Sequence, residues 1–193
     1  PMPTPNPAAL EFMLTRRSRP AKTLIGPVPS REELKVLLTA AARTPDHGKL
    51  EPWRFIVLEK AALTRLAALV PVRAAALEID PDRTEKAVAQ FRDADLAVAV
   101  ISAPKASPKI PQIEQVYSAG AVCLALLNAA LASGWGANWL SAWPSHDQAF
   151  IAEGLRLAEH ESVAGFIHIG TETSAPPERP RPDLEQITTW MDS

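Results

Sequence analysis

Asp95-Leu96-Ala97-Val98-Ala99-Val100-Ile101-Ser102 decides the fold. Its apolar residues follow one another without alternation, so it offers water no polar face. A short run of that kind is a central strand, covered on both sides of its sheet. Working outward, Ile113 to Ser133 reads as the longest helix, and its part Ala119 to Ala132 is apolar almost all round. Such a helix is buried on most of its sides. In the other direction, Asp82 to Arg92 reads as a polar helix and Ala61 to Ala76 as an Ala-rich one. Phe55-Ile56-Val57-Leu58 is a further short strand. Long helices interleaved with few strands predict helical layers on both faces of a small mixed sheet.

The flanks carry their own punctuation. Pro7 to Arg17 predicts a helix with Leu10, Met13 and Leu14 on one face. Ser30 and Glu33 have the spacing of a capping box, and Leu34, Leu37, Leu38 and Ala41 form the stripe that follows. Gly134 suits a helix C-terminus, and Trp135 to Trp143 reads as extended. Ser145 and Gln148 repeat the capping-box spacing and predict a helix to about Leu157. Val163 to Ile169 is a last strand. The tail 172–193 reads as an extended, proline-rich arm with a turn of helix near Leu184 to Ile187, and residues 1–6 as extended or disordered. No repeat and no linker divides residues 1–193, so one domain is expected. A helix as apolar as 119–132 in a chain this short calls for a partner subunit.

Bulk properties exclude several classes. A net charge of −2 supplies no field for nucleic acid or anionic lipid. The one cysteine, Cys123, forms no internal disulfide, which fits a reducing compartment, and a cytoplasmic location is expected. The opening Pro1-Met2-Pro3-Thr4-Pro5-Asn6-Pro7 does not read as a signal peptide, and Pro1 reads as a processing remnant. The run Ala119 to Ala132 is expected to be too short to span a bilayer.

The chemistry-bearing residues cluster in four places. Arg16-Arg17-Ser18 puts two guanidinium forks and a hydroxyl at a helix end, a good phosphate site, although a solvated basic helix end would look the same. Arg43 and His47 flank Pro45 in a turn that can project an imidazole, or simply leave it on the surface. Gly134-Trp135-Gly136-Ala137-Asn138-Trp139-Leu140-Ser141 combines glycines, which permit close backbone approach, with indoles that suit a flat ligand or a core. Arg179 and Arg181 sit between prolines in the tail. His168, inside the last strand, reads as a core histidine satisfied by a hydrogen bond, and Cys123 as an inert small hydrophobe. No histidine–cysteine spacing suits a metal, and neither G-x-S-x-G nor a glycine-rich phosphate loop occurs.

Taken in order, Arg16-Arg17-Ser18, Pro45-Asp46-His47 with Pro52-Trp53, Gly134-Trp135-Gly136, Gly170-Thr171 and Pro180-Arg181-Pro182 resemble the FMN-dependent nitroreductase family. More narrowly they are similar to its small bacterial, YdjA-like branch. The resemblance implies an α+β fold of three layers, α/β/α, with a central mixed, largely antiparallel sheet, in an intertwined homodimer. It implies FMN at the subunit interface and NADH or NADPH as co-substrate. By that likeness Arg16, Arg17 and Ser18 would hold the phosphate and ribityl chain. Arg43 and His47 would reach the flavin of the other subunit, Trp139, Leu140 and Ser141 would line the cofactor, and Arg181 would add a phosphate contact. Lys22, or Arg19, would stand near the flavin ring, and 129–134 near the nicotinamide nucleotide. The implied activity is transfer of hydride from NAD(P)H through FMN to a nitroaromatic, quinone or similar acceptor by ping-pong kinetics. No general base is implied. A non-catalytic FMN carrier or sensor, a same-fold enzyme of reductive dehalogenation or flavin breakdown, and a purely structural dimerisation protein are the alternatives. The chain departs from larger relatives at 45–53, where their Ser and Asn contacts are replaced, and it lacks their long active-site insertion.

Overall fold

A computed structural model describes residues 2–193. The expected central strand is β3 (Ala97–Ser102), and all six of its residues are buried. β2 (Trp53–Leu58) pairs with one edge of β3, and β5 (Ser162–Glu172) with the other. β4 (Gly136–Leu140) and the two-residue β1 (Leu24–Ile25) both pair with β5 further along its length. Every one of these pairings is antiparallel, so among the described residues the sheet is antiparallel throughout, in keeping with the largely antiparallel one that the family resemblance implied. The connections carry whole helices, which lets each strand enter from either end. Pairing direction therefore has no local signature.

Helices cover both faces. α3 (Lys60–Leu77), α4 (Pro81–Arg92) and α6 (Gln148–Leu155) pack on one side, where Leu63, Leu66, Phe91 and Phe150 meet Ala97, Ala99, Ile101 and Phe166. Phe91 lies edge-on to Phe166 with ring centroids 5.3 Å apart, a favoured aromatic geometry. α2 (Arg31–Ala41) and α5 (Gln112–Ala132) pack on the other side against Val98, Val100, Ile167 and Ile169. Alternate residues of β3 thus serve two separate cores, which is why the whole strand had to be apolar.

The caps follow the sequence with one exception. Ser30 and Glu33 form the reciprocal capping box of α2. Gly134, at φ +88°, ends α5, and Trp135 N–H closes back on Ala130 C=O at 3.1 Å. α6, however, is capped by Asp147 rather than Ser145, and ends at Leu155. Ser145 instead accepts from the Ala142 N–H inside a short 3₁₀ turn, Trp143–His146. Asp147 takes both jobs, capping Phe150 N–H and pairing with Arg73 at 2.7 Å.

α1 (Pro7–Thr15) stops short of the arginines and leaves Leu10, Met13 and Leu14 exposed. α5 corrects the length argument. Its 21 residues are long and apolar enough to cross a membrane by length and composition alone. One side of it is buried on the sheet, through Ala119, Val122, Cys123, Leu126 and Ala130. The opposite side exposes Ile113, Val116, Tyr117 and Leu124. The tail adds α7 (Leu184–Ile187) and exposes Trp190 and Met191.

Candidate active site

The segment after α1 runs beside the free edge of β4, tied there by Arg19 N–H to Ala137 C=O at 2.9 Å. This places three arginines together. Arg17 donates to Pro177 C=O in the tail and to Ser18 C=O, while Arg16 Nη2 donates to Ser18 Oγ at 3.1 Å. Arg181 donates to Arg16 C=O at 3.4 Å and pairs with Glu178. Among the described residues Arg16 has no carboxylate partner, and its buried Nε has no hydrogen-bond partner. Burial first, then the charges of Arg181 and Arg17, push its pKa below the ordinary arginine value. A cluster of this kind has an unmet need for an anion, and guanidinium forks match phosphate oxygens. The cleft beside it, about 310 Å³, is lined by Arg16, Arg17, Arg19, Leu131, Gly134 and Glu172.

A second cavity, about 500 Å³, opens on the α4 side of the sheet. Its walls are apolar at Ala87, Ala94, Leu140 and Ala142, and its rim carries Lys22, Arg83 and Lys86. Lys22 comes from a 3₁₀ turn, Ala21–Thr23, directly downstream of the arginines. The structure separates the two cations considered for the ring. Lys22 borders this cavity with Leu140, whereas Arg19 Nε turns to Glu172 at 3.3 Å in the other cleft.

His168 corrects the sequence expectation. It is buried, but its Nε2 has no hydrogen-bond partner, and it lines this cavity. Burial alone pushes its pKa down to about 4, so the imidazole is neutral at pH 7. Trp143, another residue that lines this cavity, likewise has a buried Nε1 with no hydrogen-bond partner among the described residues. His168 in an otherwise apolar strand was the only signal of this pair in the sequence.

Trp139 lies across Gly165, where an added Cβ would collide with the indole, and its Nε1 donates to Ala164 C=O at 3.3 Å. Ser141 is exposed at the end of β4.

Arg43 and His47 sit elsewhere, and neither shares a cavity or a hydrogen bond with the arginine cluster. The His47 loop is held from both ends. Asp46 caps the Leu50 and Glu51 N–H groups, and Ser118 of α5 bridges Trp53 Nε1 to Pro45 C=O. His47 Nδ1 lies 2.7 Å from Glu114 Oε2, a partner with no trace in local sequence. Arg43 borders a shallow groove with Pro45, Leu124 and Asn128.

The description "Nitroreductase family" matches residues 16–171, from the first arginine of the cluster to the residue after Gly170. The chain belongs to the nitroreductase family. Within the family it is 35% identical over 164 residues to the Escherichia coli (strain K12) protein named "Putative NAD(P)H nitroreductase YdjA", a match that covers 84% of this chain and 87% of that one. The fold of this nitroreductase chain is shared by a nitroreductase-like family protein from Bacillus cereus, with a TM-score of 0.79, 21% identity and full coverage of both chains. It is also shared by a Desulfovibrio desulfuricans structure solved in complex with FMN, with a TM-score of 0.75, 22% identity, and coverage of 97% of this chain and 98% of that one. Membership makes the chain an oxidoreductase of the nitroreductase kind. α1 and Arg181 lie outside the matched span.

Proposed function

We propose that the chain is an FMN-dependent NAD(P)H oxidoreductase that reduces nitroaromatic, quinone or similar acceptors, working as a homodimer. The observation that carries this is the arginine cluster, where Arg16 lacks any anionic partner while Arg17 and Arg181 crowd it. Arg16, Arg17, Ser18 and Arg181 would hold the phosphate, and the cavity bordered by Lys22 and Leu140 would take the flat ring. When bound, FMN would supply the hydride chemistry between NAD(P)H and the acceptor. The chain's own part is positioning and charge. Lys22 places a cation at the rim, where negative charge that builds on a ring would be met. The apolar walls exclude water.

The dimer reading rests on exposed apolar surface in one region. Tyr117 and Leu124 of α5 and the groove at Arg43 and Asn128 are contiguous. A second copy docked there would cover them and would carry Arg43 and His47 to the partner's cofactor. This is why the two halves of the motif lie apart within one chain.

The absorbance spectrum of the purified protein, followed by NADH and NADPH oxidation with and without a quinone, tests the reading. Flavin bands and acceptor-dependent turnover are expected. Absence of flavin bands after reconstitution with FMN would overturn it, and flavin without turnover would leave a carrier instead.

A further inference from the structure

The cavity of about 500 Å³ has a mouth whose charge differs from that of the chain as a whole. The chain carries a net charge of −2, yet three cations stand around this opening, Lys22 from the turn after the arginines and Arg83 and Lys86 from α4. All three are exposed, so their charged ends can meet a ligand. Little on the protein answers them. Among the described residues neither Lys22 nor Arg83 has a carboxylate partner, and Lys86 has only Asp82, at 3.0 Å and open to solvent on both sides. Asp93, the one acid on the lining, is taken by Arg92 through contacts of 2.8 and 3.2 Å.

Arg83 is also out of place for its helix. It falls in the first turn of α4, where the unpaired N–H groups and the helix dipole favour acids. Asp80 and Asp82 follow that preference, the first by capping the Arg83 N–H at 2.9 Å. A cation there is unfavourable to the helix, so the helix itself does not account for it. Arg83, Lys86, Ala87, Gln90 and Ala94 recur at helical spacing and share the face that α4 turns to the cavity. The small side chains of Ala87 and Ala94 leave room along that face for a flat body, and the cations stand toward its N-terminal end.

We propose that the acceptor reduced in this cavity is an anionic aromatic, whose carboxylate is received by Arg83, with Lys86 beside it, while its ring lies along Ala87 and Ala94. This rests on the FMN reading above. With the flavin ring on the Lys22 and Leu140 side, the α4 side is left for the acceptor. A guanidinium matches a carboxylate with two parallel bonds, so Arg83 sets the specificity. The 2′-phosphate of NADPH offers the same kind of charge. A cavity of this size that also holds the flavin ring has no room for an extended dinucleotide, which favours the acceptor as the source.

The test uses the full chain in its FMN-loaded form and two probes of like shape, 4-nitrobenzoate and its neutral amide, 4-nitrobenzamide. In each, NADH and one solvent proton would reduce the nitro group to nitroso with release of water. The ratio of kcat/KM for nitrobenzoate to that for nitrobenzamide is read within each protein, which cancels their intrinsic difference in reducibility. That ratio is expected to fall roughly two- to tenfold in Arg83→Met, through KM, and further in Arg83→Glu. Added salt should lower it in wild type more than in Arg83→Met. A ratio that stays at the wild-type value in both variants would overturn the proposal and leave the FMN reading intact. So would a flavin that NAD(P)H reduces but nitrobenzoate fails to reoxidise. A change confined to the preference for NADPH over NADH, measured by flavin bleaching without acceptor, would place the anion on the nucleotide and overturn it as well. Failure of the flavin to bind, or to be reduced by either nucleotide, would remove both readings.

Discussion

Replacing Arg16 with methionine keeps an unbranched side chain and removes the guanidinium. In the ligand-free chain the loss is small. One part-buried hydrogen bond to Ser18 Oγ disappears, worth about 0.5–1.5 kcal/mol. Against it, the desolvation of Arg16 and its repulsion from Arg17 and Arg181 are relieved. The two contributions oppose each other, so stability should stay within about 1 kcal/mol of wild type, which is a Tm change of about 2–4 °C at most for a chain this long. Ligand binding behaves differently. A charge-assisted bond to phosphate is worth about 1.5–3 kcal/mol, so the FMN dissociation constant should rise roughly ten- to a hundredfold. Calorimetry of the flavin-free protein in a phosphate-free buffer gives the first quantity, and fluorescence quenching of FMN gives the second. An Arg16→Met protein that loses several kcal/mol of stability yet binds FMN as tightly as wild type would refute the reasoning, because the cluster would then be a structural clamp.

Acid should weaken the fold in two stages. The folded pKa of His168 is about 4 against 6.5 when free, so its contribution is complete above pH 6.5 and is lost as pH falls toward 4, about 3 kcal/mol in all. Glu161 is held at about 2 against 4.5, first by its hydrogen bond to Arg54 at 2.6 Å, so its contribution is lost between pH 4.5 and 2. Solvent around the exposed Arg54 reduces that second loss to about 1–2 kcal/mol. His168→Phe should flatten the first limb of the stability profile and Glu161→Gln the second, and urea melts across pH would show the wrong limb flattening if these assignments fail. Gly165→Ala should lift Trp139 from its seat and change its fluorescence, and an unaltered emission spectrum would contradict the close contact. Leu124→Asp should place a charge in the proposed dimer surface and yield a monomer with weaker FMN binding, and sedimentation of an intact dimer would move the interface elsewhere.

Features written in neighbouring residues were legible before any coordinates. The doubly buried strand at 97–102, the Ser30–Glu33 box and the glycine that ends α5 all follow from local patterns. Arg16, Arg17 and Ser18 were readable because they are adjacent. Strand direction was not legible in the residue pattern itself, since it depends on how connections of whole helices return to the sheet; only the family resemblance implied a largely antiparallel one. Ser145 was misread because spacing alone cannot tell it from Asp147, whose carboxylate caps α6 and meets Arg73 on another helix. His168 looked satisfied because its neighbours are apolar. Its missing partner depends on what α4 and the turn after β4 bring to that spot. Glu114 lies 67 residues from His47, and nothing in either neighbourhood announces the pair.

β5 is the strand on which the rest of the sheet depends. It bonds to β3, β4 and β1, while β2 reaches the sheet only through β3. During synthesis the β2–β3 pair can form early, but β1 and β4 have no strand to join until residues 162–172 have been made. Between completion of β3 at residue 102 and of β5 at residue 172, the growing chain therefore holds a two-stranded fragment whose β3 edge is still open. The apolar faces of α2, α5 and β4 wait beside it without a completed layer to cover them. Such a fragment is exposed to wrong pairing. The stretch of the protein most open to rescue or loss is thus set by where its last strand falls in the reading frame.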